Sequence, residues 1–173
     1  MLLDNFSDLF QRGLEYAWDC EHVLLKHVPK MVEAATAQEL KQALDLHLVE
    51  IKGHIYRLEQ IFTRLDRSPA AEKNEPIHII VEECERMIGH IDHSALLDAA
   101  LVFNARQIEQ YEAGLYASLC GFARTLGFDE IAGLMDEILA EETAAAQQLT
   151  RLAESSINSA ASGVHNTPPF ALI

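Results

Sequence analysis

His47, Glu50 and His54 fall in the stretch HLVEIKGHIYRLEQ, at positions where an amphipathic helix should present leucines. Carried back through Leu40, Ala43 and Leu44 and forward through Leu58, Ile61 and Phe62, the helical period puts all three on the apolar stripe. A lone ionised carboxylate in an apolar interior is strongly unfavourable, so a partner charge, a hydrogen-bond network or a metal cation must compensate it. Other stripes repeat the pattern. Glu21 follows Leu14, Ala17 and Trp18; Glu112 lies in line with Val102, Ala105, Glu109, Tyr116 and Leu119; Glu142 lies in line with Leu134, Met135, Ile138, Ala145 and Leu149. Glu21 and Glu50 are 29 residues apart (50 − 21), and Glu112 and Glu142 are 30 apart (142 − 112). Two helical hairpins with that spacing would bring four carboxylates to one level as a pseudo-symmetric set. Two divalent cations would neutralise them, and hard oxygen donors with imidazole suit iron or manganese.

Antiparallel packing sorts the neighbours. His54 is expected one turn from the carboxylate layer, completing the coordination of one metal, whereas the symmetry-related position is Ala146, which leaves the second metal without an equivalent ligand. His47 and Glu109 belong to the same level, either as ligands or as hydrogen-bonding partners of ligands. The site should therefore be asymmetric. Taken singly, each glutamate also reads as a rim residue that snorkels to solvent, and His47 as a hydrogen-bonded core histidine. Taken together, the four carboxylates favour a metal. Glu141 is expected to be solvated and Tyr116 to be core. Cys20, Cys84 and Cys120 form no CxxC pair and read as reduced core thiols.

The elements that must position these residues are helices. In 173 residues, 49% are apolar and only 7% aromatic, with Ala, Leu, Glu and Gln filling long periodic stretches. A first helix is predicted from about Asn5 to Ala34. A second starts at Thr36, where Thr36 and Glu39 make a capping box, and runs to about Leu65. DRSPAAEKNEP is a polar connector, and HIIVEECERMIGH a short helix on the route to a long one over Ala95 to Leu126, stopped by Gly127. The last long helix should reach about Glu154. The expected architecture is an all-α, ferritin-like four-helix bundle over residues 1–154, with a long crossover containing a short fifth helix, and an extended or disordered tail over 155–173. The net charge of −14 disfavours nucleic acid. No apolar run is long enough to span a membrane, and Asp4 comes too early for a secretory signal, so a soluble, cytoplasmic protein is expected.

DCEHVLLKHVPKM, HLVEIKGHIYRLEQIF, DAALVFNARQIEQYEAGLYASL and LMDEILAEETAAAQQL, in that order and at these separations, resemble the four helix motifs of the YciE/YciF family of ferritin-like stress proteins. The resemblance covers about Leu14 to about Ala153. It implies a ferritin-like bundle, commonly a homodimer, with a rubrerythrin-like di-metal centre and a role in stress tolerance that includes peroxide handling. By position it implies Glu21, Glu50, Glu112 and Glu142 as metal carboxylates, with Glu109 close by. This chain departs from the pattern: family members often carry glutamine at His54, an acid at Ala146 and histidine at Gln110, and no histidine follows Glu142. Two functions remain open on the sequence. One is a di-metal oxidoreductase acting on hydrogen peroxide or dioxygen, catalase-like or ferroxidase-like, with Glu50 and Glu142 bridging, Glu21 and Glu112 terminal, and any reductant supplied by another molecule. The other is a non-catalytic, stress-induced structural or interaction bundle with a redox-silent or absent metal site.

Overall fold

The computed structural model describes residues 3–163. The helices are α1 (Phe6–Ala34), α2 (Gln38–Arg64), α3 (Glu75–His90), α4 (Ser94–Thr125) and α5 (Asp129–Leu152), followed by a π-helical turn (Ala153–Ile157) and a short α6 (Asn158–Ser162). α1 with α2 and α4 with α5 form two antiparallel hairpins, and residues 65–93, including α3, make the crossover between them. This is the ferritin-like connectivity expected from the lengths of the periodic segments.

The ends of the helices show how local chemistry fixes the hairpins. Asn5 caps α1 by accepting the Asp8 amide at 3.0 Å. Gly127 sits at φ +78, and the Phe128 amide reaches back to the Ala123 carbonyl at 2.9 Å, a Schellman closure that turns α4 into α5. At the start of α2, by contrast, the expected Thr36 and Glu39 capping box does not form: Ala37 is the capping residue and has no side-chain bond. The buried carboxylate of Asp98, from α4, takes its place. It accepts from the Thr36 amide at 2.7 Å, the Thr36 hydroxyl at 2.6 Å and the Ala37 amide at 2.9 Å. A carboxylate satisfying three donors at once outcompetes a hydroxyl that could satisfy one, and it ties the turn of the first hairpin to the second.

The segment after Glu154 also departs from expectation. Residues 155–162 are helical rather than extended, and the π turn brings both Ala153 and Ile157 into the core. The rest of the expected tail, with His165, lies outside the described residues.

Apolar packing is divided in two. One cluster joins Leu24, Val28, Met31, Leu44, Ile51, Ile77, Leu101, Ile108 and Leu149, and the other joins Phe10, Leu14, Leu58, Phe62, Tyr116, Leu119, Met135 and Ile138. Every long helix contributes to both. Between them, at the middle of the bundle, lies a layer of buried polar side chains.

Candidate metal centre

Glu21 comes from α1, His47 and His54 from α2, Glu109 and Glu112 from α4, and Glu142 from α5; all six are buried, none more than 4% exposed. Their donor atoms converge in two groups, each within 4.8 Å: Glu21, His54 and Glu142, and His47, Glu109 and Glu142. Glu142 belongs to both, so it stands where a bridging carboxylate would. Glu112 lies beside the second group, its Oε2 3.9 Å from His47 Nε2 and its Oε1 3.8 Å from the Cys20 thiol.

The two groups are held differently. His54 Nδ1 lies 3.0 Å from Glu142 and 3.4 Å from Glu21, while its Nε2 contacts Glu141 Oε2 at 2.9 Å. Arg57 grips the same Glu141 carboxylate from the outside, at 2.8 and 2.7 Å. Glu21 in turn accepts the Tyr116 hydroxyl at 2.5 Å. His47, on the other side, approaches Glu109 only to 3.4 Å, and neither of its ring nitrogens has a hydrogen-bond partner among the described residues.

Whether these residues suit a cation can be judged from their unpaired atoms. Glu21 Oε2, both His47 nitrogens, His54 Nδ1, Glu109 Oε2, Glu112 Oε2 and both Glu142 oxygens are buried without a hydrogen-bond partner among the described residues. An unsatisfied buried polar atom costs about 1–3 kcal/mol, and such atoms are rare in folded proteins. Eight of them in one layer, with His54 Nδ1 3.0 Å from Glu142 Oε1 and His47 Nε2 3.9 Å from Glu112 Oε2, make a set of donors that could hold a cation. The donor set of carboxylate oxygen and imidazole nitrogen fits iron or manganese chemistry.

Electrostatics points the same way. Burial, reinforced by the Glu142 charge, pushes the Glu109 and Glu112 carboxyls well above the usual range. Burial also raises Glu21, against the opposing pull of His54. Burial disfavours a charged His54 too, but Glu21 and Glu142 outweigh it and push the imidazole up to about 10. Burial works against the Glu142 charge, yet His54 and His47 hold that carboxyl below its ordinary value. Burial lowers His47. Without a cation, then, the layer approaches neutrality by keeping protons on Glu109, Glu112 and His54 around an ionised Glu142.

Five of the expected ligand residues are thus gathered into the two groups, and Glu112 adjoins them. Glu50 is not gathered: it is half-buried and belongs to neither group. The inward line of α2 runs through His47, Ile51, His54 and Leu58, which leaves Glu50 at the edge of the stripe rather than its centre. It still lies near enough for Glu141 and Glu142, after burial itself, to raise its carboxyl. Glu141, expected in solvent, is instead the outer partner of His54. Arg57 salt-bridges Glu141 and, one turn earlier on α5, Glu137; the pairing joins two helices and has no spacing signature within either. Tyr116 is core, as expected, and also binds a site carboxylate. Cys20, Cys84 and Cys120 are free and buried, and burial pushes the Cys20 thiol well up, so it is no thiolate.

Among the described residues, no helix is long and apolar enough to cross a membrane. Residues 5–162 match a family described as a domain of unknown function, DUF892. The chain is 30% identical over 159 residues to the Escherichia coli protein YciF, covering 91% of this chain and 96% of that one. The crystal structure of E. coli stress protein YciF superposes with a TM-score of 0.86 at 29% identity, over 90% of this chain and 99% of the other. YcfI from Rhodopseudomonas palustris superposes at 0.83 with 35% identity, over 85% and 94%. A ferritin-like fold is shared with a two-domain protein of Anabaena variabilis that joins a DJ-1/ThiJ/PfpI-like and a ferritin-like domain, at TM-score 0.64 and 21% identity, covering 98% of this chain and 41% of that one. With the family match spanning nearly all of the chain and the bundle reproduced in its relatives, this protein belongs to the DUF892 family, is similar to YciF over most of its length and has a ferritin-like fold.

Proposed function

We propose that this protein is a ferritin-like di-metal stress protein, with iron ahead of manganese as its metal, that acts on hydrogen peroxide or dioxygen. The observation that carries this reading is the convergence of unpaired, buried carboxylate and imidazole atoms on two points that share Glu142. Two redox-active ions bound by these residues would supply electron transfer to or from an oxygen–oxygen bond. Glu21, His54 and Glu142 would hold one ion, and His47, Glu109 and Glu142 the other. Glu112 would compensate charge beside His47. Tyr116 fixes the orientation of Glu21 through its hydrogen bond. Glu50, half-buried at the edge of the stripe and with its carboxyl raised by burial and by the Glu141 and Glu142 charges, would carry protons between solvent and site. Any reductant would come from another molecule, the active species would be a homodimer, and the protein would work in the cytoplasm.

A specific observation also favours a second reading, a non-catalytic interaction bundle. Protons retained on Glu109, Glu112 and His54 go part of the way to neutralising the layer without metal, and α2 exposes Leu46, Val49 and Tyr56 along one face, available to a partner. Elemental analysis of protein purified without added metal, followed by a peroxide-consumption assay, separates the two. About two iron or manganese ions per chain, with peroxide turnover, supports the first reading. Metal far below that level which cannot be restored by reconstitution overturns it and leaves the second.

A further inference from the structure

His54 is the one buried site residue clasped from behind by a carboxylate that is itself clasped. Glu141 Oε2 lies 2.9 Å from His54 Nε2 and 2.8 Å from Arg57 Nη1, and Glu141 Oε1 lies 2.7 Å from Arg57 Nη2. A carboxylate engaged by a guanidinium at both oxygens is an acceptor, so the hydrogen in the contact with His54 belongs to Nε2. That leaves Nδ1 as the ring atom facing inward, between Glu142 at 3.0 Å and Glu21 at 3.4 Å, with no hydrogen-bond partner of its own. An imidazole that donates its remote N–H to a carboxylate is fixed in tautomer and ring angle and becomes a better metal ligand. Among the described residues His47 has no such support: both its nitrogens are unpaired. The two halves of the centre therefore differ in how completely they are built before a cation arrives.

Resting on the metal reading above, we infer that Glu141, anchored by Arg57, is a positioning residue that presents His54 Nδ1 to the Glu21 and Glu142 carboxylates, so that this half of the centre fills first and more tightly. The His47 half fills second. Glu141 and Arg57 touch neither the ion nor its substrate; they act only through the orientation of the His54 ring. The ordering follows from preorganisation, because the first half needs no side chain to reorient and the second must fix a free imidazole.

The test is a Zn(II) titration of the full-length, metal-stripped protein, followed by calorimetry and by histidine 15N resonances. The wild type should bind in two resolved steps, the first shifting His54 Nδ1 while its Nε2 keeps a proton, the second shifting His47. Glu141→Ala should weaken the first step about 10–100-fold and leave the second nearly unchanged. Glu141→Gln, whose carbonyl can still accept from Nε2, should recover most of that loss, and Arg57→Leu should fall between the two. The two rescue-type variants also cover a failure of Glu141→Ala to fold. A single wild-type step, His47 shifting first, or equal weakening of both steps in Glu141→Ala would overturn the inference while leaving a metal site standing. A wild type that binds no Zn(II) and cannot be loaded with iron or manganese would remove the metal reading itself.

Discussion

His47 and His54 stand two helical turns apart on α2, both buried, both aimed into the polar layer, and both within reach of Glu142. Opposite His54, α5 carries Glu141, and Arg57 completes the clasp. Opposite His47, α4 offers Glu109 and Glu112, but at 3.4 and 3.9 Å and without hydrogen-bonding geometry. One helix thus delivers two histidines of equal burial and unequal support. The difference teaches that placing a donor on the right stripe is a property of its own helix, whereas orienting it depends on what a neighbouring helix places behind it.

The comparison can be broken outright at the residue the two halves share. Glu142→Ala should abolish binding at both, dropping metal content from about two ions per chain to near none in elemental analysis. Removing one histidine sharpens it: His54→Ala should eliminate the tight step of a metal titration and His47→Ala the weak one, each leaving the other measurable. A smaller effect concerns the stability of the metal-free protein. Its His54 is raised to about 10 and its Glu109 and Glu112 carboxyls lie well above their ordinary values. The folded state therefore holds more protons than the unfolded chain above neutrality, and stability falls as pH rises. The contribution from His54 is complete below its unfolded value near 6.5 and is lost as pH climbs toward 10. The melting temperature of the metal-free protein should accordingly decrease between about pH 7 and 9, and loading with metal should flatten that slope. If the slope is absent, the metal-free layer is not held by protons. The smallest change expected is that of Glu112→Leu, which removes an unsatisfied buried oxygen beside His47 and should stabilise the metal-free protein by about 1–3 kcal/mol in denaturant unfolding while impairing the weaker half.

The bundle and most of its donor layer were legible in the sequence because they rest on periodicity within single helices. Glutamates and histidines on an apolar stripe declare themselves wherever the stripe's centre is clear, as for Glu21, Glu112 and Glu142. Glu50 shows where that logic weakens: its stripe is wide enough to include it, yet the true inward line passes through Ile51, about 100° away around the helix. Features made between helices were harder to see. The Asp98 cap joins residues 62 positions apart, and the Glu141 clasp on His54 joins residues 87 apart; neither leaves a local spacing signal. The continuation of the chain through the π turn was hidden for another reason. Ser155 and Ser156 have the composition of a tail, but Ala153 and Ile157 flanking them are apolar and find the core.

The division of the apolar interior into two clusters by the polar layer affects cooperativity as well as chemistry. Each cluster is closed by all four long helices, so each end of the bundle is held by its own apolar contacts, while the plane between them contributes little hydrophobic cohesion. In apolar cohesion the thinnest cross-section of the bundle is then its middle, not its ends. Helices pinned at both ends can bow apart at that plane without either end unfolding, so access to the buried donors would be governed by a local opening far less demanding than global unfolding.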